Sequence, residues 1–226
     1  MSPRILISRL LVMLVYGFSR IFYRHQLSWV SEPPPDIWTN QPDLCVFAFL
    51  NHTSLLEPLF LGAFPLSFLL AAAGRATMPG ADITMNRPLI GRFYRFLSPR
   101  TVAITRKRDA SWQHFLDQIP PQSLVVLAPE GRMMRPGGLD KEGRGGIADI
   151  LRRFGHGRMV VAYSGGLHHV NRPGEHNLCL FKTLNLKLEV LDIADYLASF
   201  GDCSANEFRL FMARDLEVRL ALHKPV

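Results

Sequence analysis

Short apolar runs alternate with polar or amphipathic segments along most of the chain, and this alternation predicts an α/β fold. Runs rich in Val, Leu, Ile and Phe that end at Pro, Gly or polar residues are typical of buried strands. Strands are predicted at 44–50, 67–73, 101–105, 123–128, 158–163 and 184–191. Helices are predicted between them, at about 55–64, 86–97, 110–119 and 144–154. Strands that alternate with helices indicate a mostly parallel central sheet flanked by helices.

The chain is predicted to close with a helix that starts near Ser204 and continues through Leu222. Ser204 and Glu207 match the capping-box pattern, in which each of the two side chains bonds a backbone N–H of the first turn. An amphipathic stretch follows directly.

The N-terminal segment is apolar with a cationic edge. Residues 5–18 read ILISRLLVMLVYGF, and Arg4, Arg20 and Arg24 flank them. The uninterrupted part, 10–18, is far shorter than the ~20 residues of a spanning helix, and no small-residue cleavage site follows, as a signal peptide would require. The pattern favours a helix that lies on a membrane surface, and a core helix packed on the domain is the alternative.

These features divide the chain into three predicted parts. Residues 1–30 form an amphipathic, membrane-associating helix, and residues 31–42, which contain three consecutive prolines, form a linker. Residues 43–226 form a single domain, which is long enough to bury a substantial core. Three cysteines without paired spacing indicate a reducing compartment, with no disulfide framework and no zinc site.

The net charge of +7 narrows the class of partner. A basic surface favours an anionic partner, which is a nucleic acid, an anionic lipid or a phosphorylated substrate. The basic residues do not interleave with a platform of aromatic residues for base stacking, and they match no recognition motif. Nucleic acid is therefore the least favoured of the three.

The segment 51–58, NHTSLLEP, carries the strongest chemical signal. It follows the predicted strand 44–50, and the carboxyl ends of strands are where α/β sheets usually bind ligands. His52 is a candidate base near neutral pH, and a carboxylate on its other ring nitrogen would fix its tautomer. On an ideal helix, His52 and Glu57 would be roughly 140° apart. They can meet only if His52 lies on the turn and Glu57 in the first helical turn after it.

Three further polar segments follow or precede predicted elements. The sequence ITRKRD at 104–109 and the sequence APEGR at 128–132 each follow a strand, and KEGRGG at 141–146 precedes a helix. Taken singly, the first two are best explained as solvated turns. The glycine-rich segment lacks the spacing of a P-loop, which argues against a nucleoside triphosphate site.

The order of these segments resembles the glycerolipid acyltransferase family, whose members acylate glycerol-3-phosphate or lysophospholipids. The family blocks read N-H-x-x-x-x-D, I-D-R, F-P-E-G-T-R and a strand around V-P-V. Here the corresponding residues are NHTSLLE (51–57), ITR (104–106), APEGR (128–132) and VVAY (160–163). Two positions depart from the family pattern, because Glu57 stands for the usual aspartate and Arg132 comes one residue early. The resemblance covers roughly residues 40–170 and is carried by the joint order of the blocks.

The resemblance implies a 1-acylglycerol-3-phosphate acyltransferase-like enzyme at the cytoplasmic face of the membrane, held there as a peripheral or monotopic protein. The donor would be acyl-CoA or acyl carrier protein, the acceptor a lysophospholipid such as lysophosphatidate, and no metal or other cofactor is expected. The alternative is a non-catalytic, membrane-surface lipid-binding protein on the same fold. By resemblance, the catalytic residues are His52 and Glu57, and the substrate-binding residues are Asn51, Thr53, Arg106, Glu130, Gly131 and Arg132.

Overall fold

A computed structural model describes residues 2–105, 109–131, 145–171 and 178–225. The strands are β1 (Arg24–Trp29), β2 (Leu44–Leu50), β3 (Ala76–Ala81), β4 (Arg100–Ile104), β5 (Leu124–Leu127), β6 (Arg158–Gly165) and β7 (Thr183–Asp192). Within the described residues they form one seven-stranded sheet in the order β1-β7-β6-β2-β5-β3-β4. Only β6 and β7 pair antiparallel. The predicted α/β class with a mostly parallel sheet is confirmed.

Helices cover both faces of this sheet. They are α1 (Pro3–Phe22), α2 (Leu66–Arg75), α3 (Asp82–Met85), α4 (Pro88–Leu97), α5 (Ala110–Asp117), α6 (Gly146–Phe154), α7 (Leu167–Val170), α8 (Ile193–Ala198) and α9 (Ala205–His223). Two 3₁₀ segments, Gln41–Asp43 and Glu57–Ala63, complete the helical elements of the described residues. The predicted last helix is confirmed, since both bonds of the capping box between Ser204 and Glu207 are present.

Two hydrophobic cores lie on opposite faces of the sheet. One is packed beneath α1, α2 and Glu57–Ala63, and the other lies beneath α5, α6, α8 and α9. Strand β2 contributes side chains to both cores, because successive side chains of a strand point to opposite faces. Phe47 belongs to the first core, and Val46 and Ala48 belong to the second. This burial on both sides explains why β2 reads as a continuous apolar run.

The predicted strand at 67–73 is wrong, because these residues lie in the helix α2. Four of its residues are buried at helical spacing, namely Phe68, Leu69, Ala72 and Ala73. Alanine and leucine are strong helix formers, whereas β-branched residues, which favour strands, are missing from the run. A short apolar run does not by itself distinguish a buried strand from a buried helix.

Two strands, β1 and β3, were not predicted from the sequence. Strand β1 continues directly from α1 and pairs with β7 at the edge of the sheet, so the N-terminal helix ends at Phe22 rather than near residue 30. Strand β3 contains Pro79 and Gly80, a pair that is typical of a turn. Only Ala76 and Thr77 of β3 pair with β5, so Pro79 lies beyond that pairing, where only β4 is adjacent. A proline is tolerated in a strand at such a one-sided position.

Helix α1 turns Ser8, Arg9 and Ser19 toward the protein, whereas Arg4 and Arg20 near its two ends are exposed. The Ser8 hydroxyl donates to the carbonyl of Leu97 in α4 at 2.7 Å, and Arg9 Nε donates to the carbonyl of Leu70 in α2 at 2.9 Å. By length and composition alone α1 is long and apolar enough to cross a membrane, a test that core helices and signal sequences also pass. Its exposed side chains are mainly large and apolar: Leu6, Ile7, Leu10, Met13, Leu14, Phe18 and Ile21.

Candidate active site

The structure brings His52 and Glu57 together. His52 lies on the turn that follows β2, and Glu57 is the first residue of the 3₁₀ segment. The His52 Nδ1–H donates a short hydrogen bond to Glu57 Oε1. The two side chains are only 16% and 13% exposed. This is the arrangement that the five-residue spacing required, with the histidine on the turn and the carboxylate in the first helical residue.

The electrostatic environment makes His52 more basic than an ordinary histidine. Burial by itself would lower the pKa of His52, because it disfavours the charged imidazolium. The hydrogen bond from Glu57 and the negative charges of Glu57 and Glu130 outweigh burial, so the pKa is raised. Within the described part of the chain, no protein group hydrogen-bonds the other ring nitrogen, Nε2. The pair therefore has the chemistry of a general base, with one nitrogen oriented and the other available.

Glu130 fastens the turn that carries His52. Its carboxylate accepts the backbone N–H of Asn51 at 2.7 Å and the N–H of His52 at 3.1 Å. Glu130 follows β5, which pairs with β2, so the two strand ends bring these groups together across the sheet. A buried carboxylate that accepts two amide bonds holds its partners strongly. The geometry gives Glu130 a positioning role, and its predicted contact with substrate stays a prediction.

Asn51 is strained and is held from the opposite side. Its φ of 66° lies in the left-handed region, which non-glycine residues rarely adopt. Its side-chain Nδ2 donates to the carbonyl of Ser164 in β6 at 2.6 Å. The Ser164 hydroxyl in turn donates toward the carbonyls of Leu50 and Asn51, each at 3.1 Å. Strain of this kind persists only where neighbours enforce it, and here Glu130 and Ser164 do so.

Sequence reasoning missed two residues that support the site. One is Ser164, which comes from a strand more than a hundred residues away in the sequence. The other is Tyr94 of α4, whose hydroxyl donates to the carbonyl of Leu55 at 2.9 Å. Burial and the charge of Glu57 raise the pKa of Tyr94, so its hydroxyl stays protonated. Neither residue belongs to a block that signals chemistry, and only the fold brings them to the turn.

The remaining predicted site residues fall into two groups. Thr53 is half-buried on the same turn, and Gly131 ends the segment after β5 with a φ of 66°. A glycine adopts this conformation without the steric cost of a side chain. Arg106 and Arg132 lie outside the described residues, so their assignment as substrate-binding residues stays a prediction.

The predicted glycine-rich segment has a packing role where it is described. A Cβ at Gly146 would lie 2.8 Å from the Trp112 ring, so only glycine fits there without displacement. Trp112 Nε1 donates to Asp149 at 3.0 Å, and Arg209 also binds that carboxylate. The glycine therefore allows α5 and α6 to approach closely, and the part of the segment at 141–144 lies outside the described residues.

A cavity of about 690 Å³ adjoins the His52–Glu57 pair. His52, Glu57 and Tyr94 lie on its wall, and it continues between the sheet and the layer formed by α1 and α2. Cavities of about 300–1,000 Å³ are typical of small-molecule sites. The part of the cavity between the sheet and the layer of α1 and α2 has an apolar lining, which includes Val12, Phe47, Phe68, Ala73, Leu124 and Val126.

No family model matches this chain, and no curated protein matches it significantly. The fold and the site define an α/β protein with a histidine–carboxylate pair beside a large apolar cavity. Any functional assignment therefore rests on this geometry and on the order of the sequence blocks.

Proposed function

We propose that this protein is an O-acyltransferase that moves a fatty acyl group from a thioester donor to the hydroxyl of a lysophospholipid such as lysophosphatidate. The donor is acyl-CoA or acyl carrier protein. The observation that carries the proposal is the His52–Glu57 pair on the wall of an apolar cavity. A base beside a lipid-sized apolar space is what direct acyl transfer to an alcohol requires.

In the proposed reaction, His52 Nε2 takes the proton of the acceptor hydroxyl as its oxygen attacks the thioester carbonyl. The tetrahedral intermediate collapses to the ester and expels the thiolate, which receives the proton from the His52 imidazolium. Glu57 stabilises that imidazolium and fixes the tautomer. Ser54 is engaged in the turn, where its hydroxyl oxygen accepts the N–H of Leu56, which is consistent with transfer without an acyl-enzyme.

The apolar part of the cavity is the proposed site of the acyl chain. It lies beside the catalytic pair and is enclosed by the residues of the first core. Each buried methylene stabilises the complex by about 0.8 kcal/mol. Binding energy from this remote part of the substrate holds the thioester carbonyl in place for attack, which lowers the barrier. Leu55, Leu61, Phe64 and Leu69 line the cavity, whereas Leu59 and Phe60 pack in the core.

Arg106 and Arg132 are the proposed contacts for the acceptor phosphate. They follow β4 and β5, two strands that run parallel to β2 and end at the same edge of the sheet as His52. A guanidinium presents a planar fork that matches phosphate oxygens. Anchoring the phosphate at this edge would fix the distance from the acceptor hydroxyl to His52.

The orientation of α1 supports a place at the membrane surface. The helix directs Ser8, Arg9 and Ser19 toward the protein, and its exposed side is largely apolar, which is the reverse of a helix that faces water. Large exposed apolar patches usually mark an interaction site. We place the protein at the cytoplasmic face of the membrane, as a peripheral or monotopic protein that meets its lipid substrates there.

The test is acceptor-dependent thiol release. Purified protein is incubated with a mixture of acyl-CoA species, or with acyl carrier protein carrying the same chains, and with a panel of lysophospholipids. Thiol release that requires one class of acceptor supports the proposal and identifies both substrates. If neither donor releases thiol with any acceptor while the protein still binds lipid, the alternative of a non-catalytic lipid-binding protein replaces it.

A further inference from the structure

The outer face of α3 and α4 combines exposed apolar side chains with unpaired arginines. Ile83, Leu89 and Phe96 are 58%, 81% and 49% exposed. Within the described part of the chain, the surrounding arginine side chains form neither an ion pair nor a hydrogen bond; they are Arg87, Arg92, Arg95 and Arg100. The nearby acidic residue, Asp82, accepts the N–H of Ile83. The stretch 82–100, all of which the structure describes, therefore carries four exposed arginines and three exposed large hydrophobes with one carboxylate, Asp82.

The opposite face of α4 belongs to the site. Gly91 packs so closely on Met85 that a Cβ would lie 2.1 Å from its carbonyl oxygen. Tyr94 and Leu97 line the cavity, and Tyr94 holds the turn between His52 and Glu57. Helical spacing places Leu89, Arg92 and Phe96 away from these residues. One short helix thus separates the catalytic turn from the exposed surface.

This surface adjoins α1. The Ser8 hydroxyl of α1 bonds the carbonyl of Leu97 at the end of α4. The two helices differ in character, because the exposed side of α1 is mainly apolar whereas α4 adds fixed positive charge. Apolar side chains that enter the headgroup boundary, together with arginines that meet the headgroups, are the features of an interfacial helix.

We propose that the outer face of α3 and α4 is a second membrane contact that recognises anionic headgroups and, with α1, holds the cavity against the bilayer. The inference deepens the proposed function, since it assumes that the substrates reside in a membrane. The charge complementarity selects the occupant, because four arginines that have no partner among the described residues fit an anionic lipid surface and do not fit an apolar protein face. The membrane contact then lies directly over Tyr94 and the catalytic turn.

The test is cosedimentation of the full chain with vesicles of phosphatidylcholine alone or mixed with phosphatidylglycerol. Each basic residue near an anionic surface strengthens binding about fivefold. We therefore expect Arg92→Glu/Arg95→Glu to weaken binding to the mixed vesicles roughly tenfold or more, with little change on phosphatidylcholine. Added salt should reduce the difference, since it screens the surface charge.

The matched control carries the same change of charge at the other face of the molecule. Arg214→Glu/Lys224→Glu alters α9 and the residue that follows it, where α9 packs on the second core. We expect this control to bind mixed vesicles like the wild type. Binding by Arg92→Glu/Arg95→Glu that equals the wild type, or an equal loss in the control, would overturn the proposal.

A second pair of changes separates the two helices. Leu10→Ser/Leu14→Ser on α1 should weaken binding to both kinds of vesicle, because it removes apolar contact rather than charge. Vesicle binding needs no turnover, so it is measured independently of the proposed reaction. One combination of results separates the two proposals: the wild type releases no thiol, and Arg92→Glu/Arg95→Glu binds mixed vesicles more weakly than the wild type. That combination would remove the acyltransferase proposal and support this one.

Discussion

Two polar clusters of the described residues, both largely shielded from solvent, differ in how completely their charged groups are bonded. The first is the His52–Glu57 pair. The second, here termed the C-terminal clasp, joins α8 and α9 to β6 and β7. In the clasp, Arg219 binds Glu189 at 2.5 Å and Asp215 at 2.6 Å. The hydroxyls of two tyrosines donate to the same carboxylates at 2.6 Å; they are Tyr163 and Tyr196.

The two clusters differ in what they leave unsatisfied. In the clasp each of the two carboxylates meets Arg219 and a tyrosine hydroxyl, so the network is closed and holds the last helix on the sheet. In the site, Glu57 occupies one nitrogen of His52 and the other nitrogen remains without a protein partner in the described residues. Burial of charge is therefore not itself a sign of catalysis, whereas an oriented and incompletely bonded base beside a cavity is typical of a catalytic site.

Apart from the removal of His52 itself, replacing the carboxylate of the site should have the largest effect on activity. Glu57→Gln keeps the shape but removes the charge that stabilises the imidazolium, and we expect kcat/KM to fall about a thousandfold. Glu57 raises the pKa of His52 against burial, so its loss lets burial lower that pKa. Because the neutral imidazole is the active form, the acidic limb of the pH–rate profile should move to lower pH.

The direction in which the acidic limb moves in Glu57→Gln tests whether Glu57 sets the pKa of His52. Steady-state rates measured over a range of pH give the limb directly. A limb that stays in place, or that moves to higher pH, would show that Glu57 does not set the pKa of His52.

Breaking the clasp should affect stability instead of chemistry. Arg219→Met leaves the carboxylates of Glu189 and Asp215 without their cation, and we expect a loss of about 3 kcal/mol in the free energy of unfolding. This loss is at the low end of the range for buried ion pairs, because the Arg219 side chain is 23% exposed. Urea unfolding followed by circular dichroism measures the loss. A fall in kcat of the folded fraction, with unchanged stability, would contradict the comparison.

Weakening the support of the turn should produce a smaller loss of activity. Glu130→Gln replaces one acceptor oxygen by an amide, so one of the bonds to the N–H groups of Asn51 and His52 is lost. We expect kcat to fall by about ten- to a hundredfold, since a hydrogen bond to a charged group contributes roughly 1.5–3 kcal/mol. KM should change little if Glu130 positions His52. A rise in KM at constant kcat would instead indicate contact with substrate.

Filling the cavity should give the smallest effect and the most selective one. Val126 of β5 lines the cavity, and Val126→Phe should shift the preferred acyl chain toward shorter lengths with modest change in stability. Its neighbour Val125 is fully buried in the other core, so Val125→Phe should destabilise the protein by about 1–3 kcal/mol. Competition among acyl donors of different length gives the first result, and thermal unfolding gives the second. Unchanged chain preference in Val126→Phe would place the acyl chain elsewhere.

The elements that the sequence predicts well are those whose signal is local. Strand β2, the capping box at Ser204 and the meeting of His52 with Glu57 each follow from a few neighbouring residues. The run at 67–73 failed because apolar content alone does not separate helix from strand, and β3 failed because Pro79-Gly80 resembles a turn.

The contacts that support the site could not be predicted, because they cross the sheet; the family resemblance names Glu130, but as a substrate-binding residue and not as a support of the turn. Glu130 and Ser164 reach the His52 turn from β5 and β6, and Tyr94 reaches it from α4. Their roles depend on strand order, which no short motif encodes. The outward face of α1 also needed the structure, since only packing shows that Ser8 and Arg9 point inward.

If His52 is the base of an acyl transfer, as we propose, His52→Ala must abolish acceptor-dependent thiol release. The matched control is His156→Ala, since His156 is an exposed histidine remote from the site in the sequence. We expect His52→Ala to fold like the wild type by circular dichroism and to show no acceptor-dependent release, while His156→Ala retains it. Turnover by a folded His52→Ala variant at the wild-type rate would show that His52 is not the base.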